Sequence, residues 1–191
     1  MGNHRTTVTL YLDPWTGVSG DMLLGALVAV LGPLEAGEEV LRRMADGLGL
    51  PASLLRVQEV VEKGVSAVRV SVAAEEGPPL RHLADMEEMV SGAGLPDKVR
   101  ERSLTALRRL AEVEAEIHGT TVDHIHFHEV GAADTLIDVV GTFALLERLG
   151  VERVVVGTVP VGGGTVEIAH GRMGVPAPAT AGRPTAHGGP V

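Results

Sequence analysis

The run Val8-Thr9-Leu10-Tyr11-Leu12 is rich in β-branched and apolar residues and predicts a short strand that stops at Asp13-Pro14. A turn-rich stretch follows, Trp15-Thr16-Gly17-Val18-Ser19-Gly20-Asp21, and opens a helix over residues 22–31. A second helix is predicted over about 35–46, stopped by the glycines at 47 and 49. Residues 55–61, the turn Glu62-Lys63-Gly64 and the alternating Val68-Arg69-Val70-Ser71-Val72 predict a β-hairpin. A polar, proline-bearing connection spans 74–80, and helix resumes over about 82–90.

Leu104, Leu107, Leu110, Val113 and Ile117 recur at helical spacing, so a longer helix is predicted from Pro96 or Asp97 to about 117, with Gly119 to end it. Residues 120–129 are expected to be extended, and 132–149 form a largely apolar helix. Residues 153–159 and 165–168 are expected to be strands around the triple-glycine turn Gly162-Gly163-Gly164. The tail from Pro176 onward is rich in Pro, Gly and Ala and is read as irregular. There is no internal repeat. Helices and strands interleave, so the fold class is α/β, or α+β, with a mixed sheet.

Composition narrows the function classes. With 191 residues and 45% hydrophobic side chains, the chain can bury a core of its own. Its net charge of −9 offers nothing to neutralise a phosphate backbone, and four aromatics leave little for base stacking, so no nucleic-acid partner is expected. The absence of cysteine removes disulfides, thiolate metal sites and cysteine nucleophiles together. The longest apolar run, residues 22–31, is too short to span a bilayer, so no membrane partner and a cytoplasmic location are expected.

Three stretches carry chemistry. The first is His124-Ile125-His126-Phe127-His128-Glu129. On an extended chain its three imidazoles share one face, opposite Ile125 and Phe127, and can converge on one cation; the alternative is three solvated histidines on an edge strand. On the following helix Asp134 and Asp138 stand four residues apart, hence on one face of an otherwise apolar element. Two acids so placed need a metal ion or an arginine beside them. Gly131 permits a sharp turn that would return both acids to the histidines, whereas His118, at a helix C-terminus, can be stabilised by the dipole alone.

The second stretch is the turn from Asp13 to Asp21. Strand, glycine-bearing turn and helix N-terminus make an anion-binding geometry in which Gly17, Ser19, Gly20 and Asp21 would face a phosphate. It lacks the lysine of a P-loop, so ordinary NTPase chemistry is not supported. Asp13 and Asp21 would hold a cation that bridges to the phosphate, or Asp21 is only a helix cap. The third stretch is the triple glycine with His170-Gly171 beyond it, which permits close backbone approach to a ligand but is more commonly a hairpin turn.

In order and spacing the chain resembles the N-terminal part of the LarC family, the nickel-insertion proteins of nickel-pincer cofactor biosynthesis. The resemblance rests on Asp13-Pro-Trp-Thr-Gly-Val-Ser-Gly-Asp21-Met, Arg81-His-Leu-Ala-Asp85, Ala115-Glu-Ile-His118-Gly, His126-Phe-His-Glu-Val-Gly-Ala-Ala-Asp134, Ile137-Asp-Val-Val-Gly141, Ala169-His-Gly171 and Val175-Pro-Ala-Pro-Ala-Thr180, and it covers nearly the whole chain. It implies a nickel-inserting cyclometallase, of the lyase class. Such an enzyme converts pyridinium bisthiocarboxylic acid mononucleotide into a nickel complex with one Ni–C and two Ni–S bonds, for lactate racemase and related enzymes. CTP is hydrolysed with manganese or magnesium.

A site of imidazole and carboxylate suits that chemistry, since the sulfur ligands arrive on the substrate. On this reading His126, His128, Asp134, Asp138 and Asp13 would hold metal. Glu129 would be a ligand or a base, with His128 beside it in the proton transfer, and Gly17, Ser19, Gly20 and Asp21 would hold the mononucleotide phosphate. Residues 1–175 would form the nickel-insertion domain and 176–191 a tail leading toward a C-terminal domain that this chain lacks and that full activity requires. A homo-oligomer is expected. Two departures stand out: Glu75-Glu76-Gly77-Pro78-Pro79 occupies the place of a histidine run in many relatives, and Gly182-Arg183-Pro184 follows Thr180 where relatives continue into a helix-like stretch. The rival readings are a nickel carrier or storage module without catalysis, a metal-dependent phosphohydrolase, and a domain that only assembles the C-terminal half.

Overall fold

The computed structural model describes residues 7–73, 82–125, 133–168 and 171–176. Strand β1 (Thr9–Leu12) gives way at Asp13-Pro14 to a loop, and Ser19, with extended backbone, hands the chain into α1 (Gly20–Leu31). Gly32, at φ 115°, and Pro33 reverse it into α2 (Leu34–Gly47), whose Leu41, Met44 and Ala45 are buried while Glu38–Arg42 and Glu39–Arg43 pair one turn apart on the outer side. The hairpin of β2 (Leu55–Glu62) and β3 (Val65–Val72) is antiparallel, with Leu55 opposite Val72 and Glu62 opposite Val65. Lys63 and Gly64, both at positive φ, form the two-residue turn that matches strand twist.

Helix α3 (Leu83–Gly92) begins with a reciprocal cap: the His82 amide donates to Asp85 at 2.8 Å and the His82 side chain accepts from the Asp85 backbone. Helix α4 (Asp97–His118) ends at left-handed Gly119, as its sequence predicts. Its buried residues are Val99, Ser103, Leu107, Ala111, Val113 and Ala115; of the predicted stripe Leu107 and Val113 are buried, Leu104 and Leu110 are half-buried and Ile117 is 41% exposed. The small residues Ser103, Ala111 and Ala115 complete the buried face, which a count of large apolar side chains misses.

Helix α5 (Ala133–Arg148) is central. It contacts α1, α2 and α4, and its Leu136, Ile137, Val140 and Leu145 join Leu24, Leu27, Leu41, Met86 and Leu107 in one core. Close packing is set by glycines. A Cβ on Gly141 would come within 2.9 Å of Leu41 and 3.1 Å of Leu24, and one on Gly25 within 2.2 Å of the Val68 carbonyl oxygen.

Strand β4 (Arg153–Val156) pairs with β1 in parallel, Thr9 opposite Arg153 and Leu12 opposite Val156. The predicted strand over 153–159 is therefore shorter, and its partner is β1 rather than the next strand. A parallel partner requires a long crossover, which the chain between Asp13 and Glu152 supplies, and Pro160 has no N–H to extend the ladder. The triple glycine is not a turn between β4 and β5 (Thr165–Ile168). β5 instead pairs with β6 (Gly171–Gly174), a strand whose glycines hide it from sequence reading. The α/β class with interleaved helices holds, and the sheet is mixed as three two-stranded pieces among the described residues, one parallel and two antiparallel.

The extended segment expected over 120–129 is interrupted in its described part, and 126–129 lie outside the described residues: Val122–His124 is a 3₁₀ turn, closed by the His124 amide donating to the Thr121 carbonyl at 3.0 Å. The Thr121 hydroxyl lies 2.8 Å from His124 Nδ1, a local side-chain turn that competes with strand. Among the described residues no helix is long and apolar enough to cross a membrane.

Candidate functional site

The direction of the helices places the site. Gly20 of α1 meets Asp138 of α5, and one turn on Leu24 meets Gly141, so α1 and α5 run the same way. The Glu152 amide donates to the Val8 carbonyl, so the parallel strands start where α5 ends and finish where α1 begins. The carboxyl ends of β1 and β4 and the N-terminal turns of α1 and α5 therefore lie at one end of the molecule. Ligands of parallel α/β folds bind at that end.

At the start of α1 the Ser19 hydroxyl does not cap the helix. It donates to Asp21 Oδ1, which also accepts the Met22 amide at 2.8 Å. The positive end of α1 is thus engaged by the chain's own carboxylate. Gly17, at φ 98°, closes the preceding turn by donating to the Pro14 carbonyl at 3.2 Å.

On α5, Asp134 is exposed in the first turn and its Oδ1 accepts the Thr135 amide at 2.7 Å. Asp138, one turn later, lies against Gly20. A Cβ there would be 2.0 Å from Asp138 Oδ2 and 2.6 Å from its Cβ, so only glycine admits this carboxylate to the first turn of α1. Asp138 Oδ1 is buried without a hydrogen-bond partner. Burial above all, then the charges of Asp134 and Asp21, push the Asp138 carboxyl up from 3.8 to about 6. Among the described residues no arginine or lysine pairs with Asp134 or Asp138, so the arginine expected as one alternative is not found. Asp138 thus carries a buried oxygen without a partner beside the charges of Asp134 and Asp21, a cost that a cation there would relieve.

At the strand ends Asp13 Oδ2 accepts the Trp15 indole N–H at 2.6 Å. A Cβ on Gly157 would stand 3.2 Å from the Tyr11 hydroxyl and 3.3 Å from Asp13 Oδ1, so these groups share one corner. Neither the role of Gly20 nor this corner was legible in the sequence. The available signal was a lone tryptophan set in a turn beside two acids.

His126, His128, Glu129 and His170 lie outside the described residues. Of the described histidines, His118 stands 3.6 Å from the Glu114 carboxylate and His124 sits in its own turn. Among the described residues no group of three or more His, Asp or Glu side chains is arranged to hold a metal ion. Asp134 and Asp138 are part of a ligand set at most.

Parallel strand ends and acidic helix starts, in a chain without cysteine, place oxygen donors and no thiolate at this end of an α/β fold. The chain belongs to the nickel insertion protein family, whose model matches residues 10–182. It is 46% identical over 174 residues to a protein of Thermomicrobium roseum named as a nickel insertion protein, a match covering 90% of this chain and 41% of that one. A protein of Geotalea daltonii with the same designation is also 46% identical, with 90% and 44% covered. The pyridinium-3,5-bisthiocarboxylic acid mononucleotide nickel insertion protein of Desulfitobacterium hafniense is 45% identical over 172 residues, with 89% and 41% covered. The chain thus spans less than half the length of these relatives. No solved structure matches it.

Proposed function

We propose that this chain gathers Ni²⁺ and pyridinium bisthiocarboxylic acid mononucleotide and carries out nickel insertion, as a cyclometallase of the lyase class, with a C-terminal domain needed for full activity. The observation that carries this reading is the Asp138 carboxylate, seated against Gly20 with an unpartnered buried oxygen and two acids beside it. Asp134 and Asp138 supply two oxygen donors. His126 and His128 complete the set in the mixed imidazole and carboxylate environment that suits nickel. Glu129 precedes Ala133 by four residues, a reach of at most about 14 Å, so it can serve the same end of α5.

Nickel arrives as a substrate. Its bond to the ring carbon forms as the C–H proton leaves, and both thiocarboxylate sulfurs bind as anions. The chain's task is to hold the ion, hold the ring against it, and accept the proton on Glu129 or His128. Carboxylates already surround the Gly17, Ser19, Gly20 and Asp21 turn, so the mononucleotide phosphate enters there once a cation has offset their charge, with Asp13 contributing from the strand end. Residues 13–21 contain no lysine or arginine, so a phosphate bound there depends on a cation for charge balance.

Mass spectrometry of the mononucleotide incubated with Ni²⁺ and this chain tests the reading. One nickel per substrate, formed with the chain and not in its absence, is expected. Nickel retained on the protein beside unaltered substrate would favour the carrier reading.

A further inference from the structure

We propose that Trp15, its indole edge held by Asp13, is the shelf on which the cationic pyridinium ring of the substrate stacks. This deepens the function proposed above and rests on it.

Tryptophan is a large apolar side chain that is mostly buried in folded proteins. Here the only tryptophan of the chain is 81% exposed, on the turn between β1 and α1. Exposure alone would mean a mobile surface ring, but this ring is held. Its N–H donates to Asp13 Oδ2 at 2.6 Å, and its backbone amide donates to the Asp13 carbonyl at 3.0 Å. Pro14 fixes the intervening residue, and the Gly17 amide closes the turn on the Pro14 carbonyl. An indole oriented before binding loses little entropy when a flat partner arrives.

The chemistry of the partner follows from the charge around the shelf. Donation to a carboxylate makes the indole more electron-rich and sets a formal negative charge at its edge. The Tyr11 hydroxyl, itself on a residue 62% exposed, lies in the same corner beside Gly157. No lysine or arginine occurs between residues 7 and 21, and Asp21 adds a second acid. An electron-rich ring is disfavoured there, whereas an electron-poor pyridinium gains from stacking and from its positive ring nitrogen. Trp15 precedes Ser19 by four residues, a reach of at most about 14 Å, so a ring on this shelf lies near the carboxylates of the α1 and α5 N-termini.

Nicotinamide mononucleotide, a pyridinium mononucleotide without sulfur, isolates this recognition from nickel chemistry. Because Trp15 is the sole tryptophan, its emission reports on the shelf directly. Stacking on an electron-poor ring quenches indole emission, and the quenching should saturate with ligand, whereas collision alone quenches in proportion to concentration. By calorimetry, Trp15→Ala should weaken binding of the probe and of the bisthiocarboxylic substrate by about 3- to 30-fold, while Trp15→Phe keeps most of the affinity. The reduced mononucleotide, whose ring is neutral while its phosphate is unchanged, should bind more weakly than the oxidised one. Unsaturable quenching with unchanged affinity in Trp15→Ala overturns the shelf and leaves the nickel-insertion reading standing. Absence of binding of the substrate to the unaltered chain overturns both.

Discussion

Replacing Asp138 by asparagine removes a charge that the fold accommodates poorly while keeping the shape of the side chain. Its folded-state value of about 6 lies above the ordinary 3.8, so the native state keeps a proton that the unfolded chain has already released. Stability of the metal-free protein should therefore decline as pH rises from about 4 to 6 and level off above. Discounted for the solvent that still reaches this side chain, the effect is about 1 kcal/mol. Urea unfolding in the presence of a chelator should show Asp138→Asn more stable than the parent by about that amount at pH 7.5, with the decline abolished. Gly20→Ala makes the complementary test. The added methyl meets the Asp138 side chain as far back as its Cβ, at 2.6 Å, so α1 must move, at a cost of about 1–3 kcal/mol. The acid pair was legible in the sequence because like charges at helical spacing on an apolar helix demand a reason. The seat at Gly20 was not, because it exists only once two helices distant in sequence are packed.

Among the elements, those governed by local rules were legible: α4 from periodicity and its end from Gly119, α1 and α5 as apolar runs, α2 and α3 between turn signals, the hairpin from alternation around Lys63-Gly64. What was lost depends on distant partners or on short-range competition. β4 pairs with a strand some 140 residues earlier, β6 is built on glycine at both ends, and Thr121 with His124 diverts an expected strand into a 3₁₀ turn. The close packing of α1 against the hairpin gives a test at this scale. Gly25→Ala places a methyl 2.2 Å from the Val68 carbonyl oxygen, whereas Gly92→Ala on α3 meets nothing within 4 Å. The first should destabilise by about 1–3 kcal/mol, and the second should leave stability unchanged or raise it by up to about 1 kcal/mol. Thermal unfolding of the two variants side by side distinguishes them. In the core, Leu136→Ala should cost about 2–5 kcal/mol, since that side chain is fully buried where α5 meets its neighbours.

For the molecule as a whole, family membership was the most legible property, because it is carried by short motifs in loops and at helix starts. Two of those motifs meet in the structure: the turn at 13–21 and the helix start carrying Asp134 and Asp138 come together at the end of the molecule where the parallel strands finish. A net charge of −9 suits capture of a divalent cation. The central claim is that Asp134 and Asp138 are ligands of the nickel ion. Calorimetric titration of the untagged chain with Ni²⁺ at pH 7.5 tests it most directly. One ion per chain is expected, with affinity reduced at least about 10-fold in the fully folded Asp134→Asn, Asp138→Asn double variant. Equal affinity in parent and variant would contradict it.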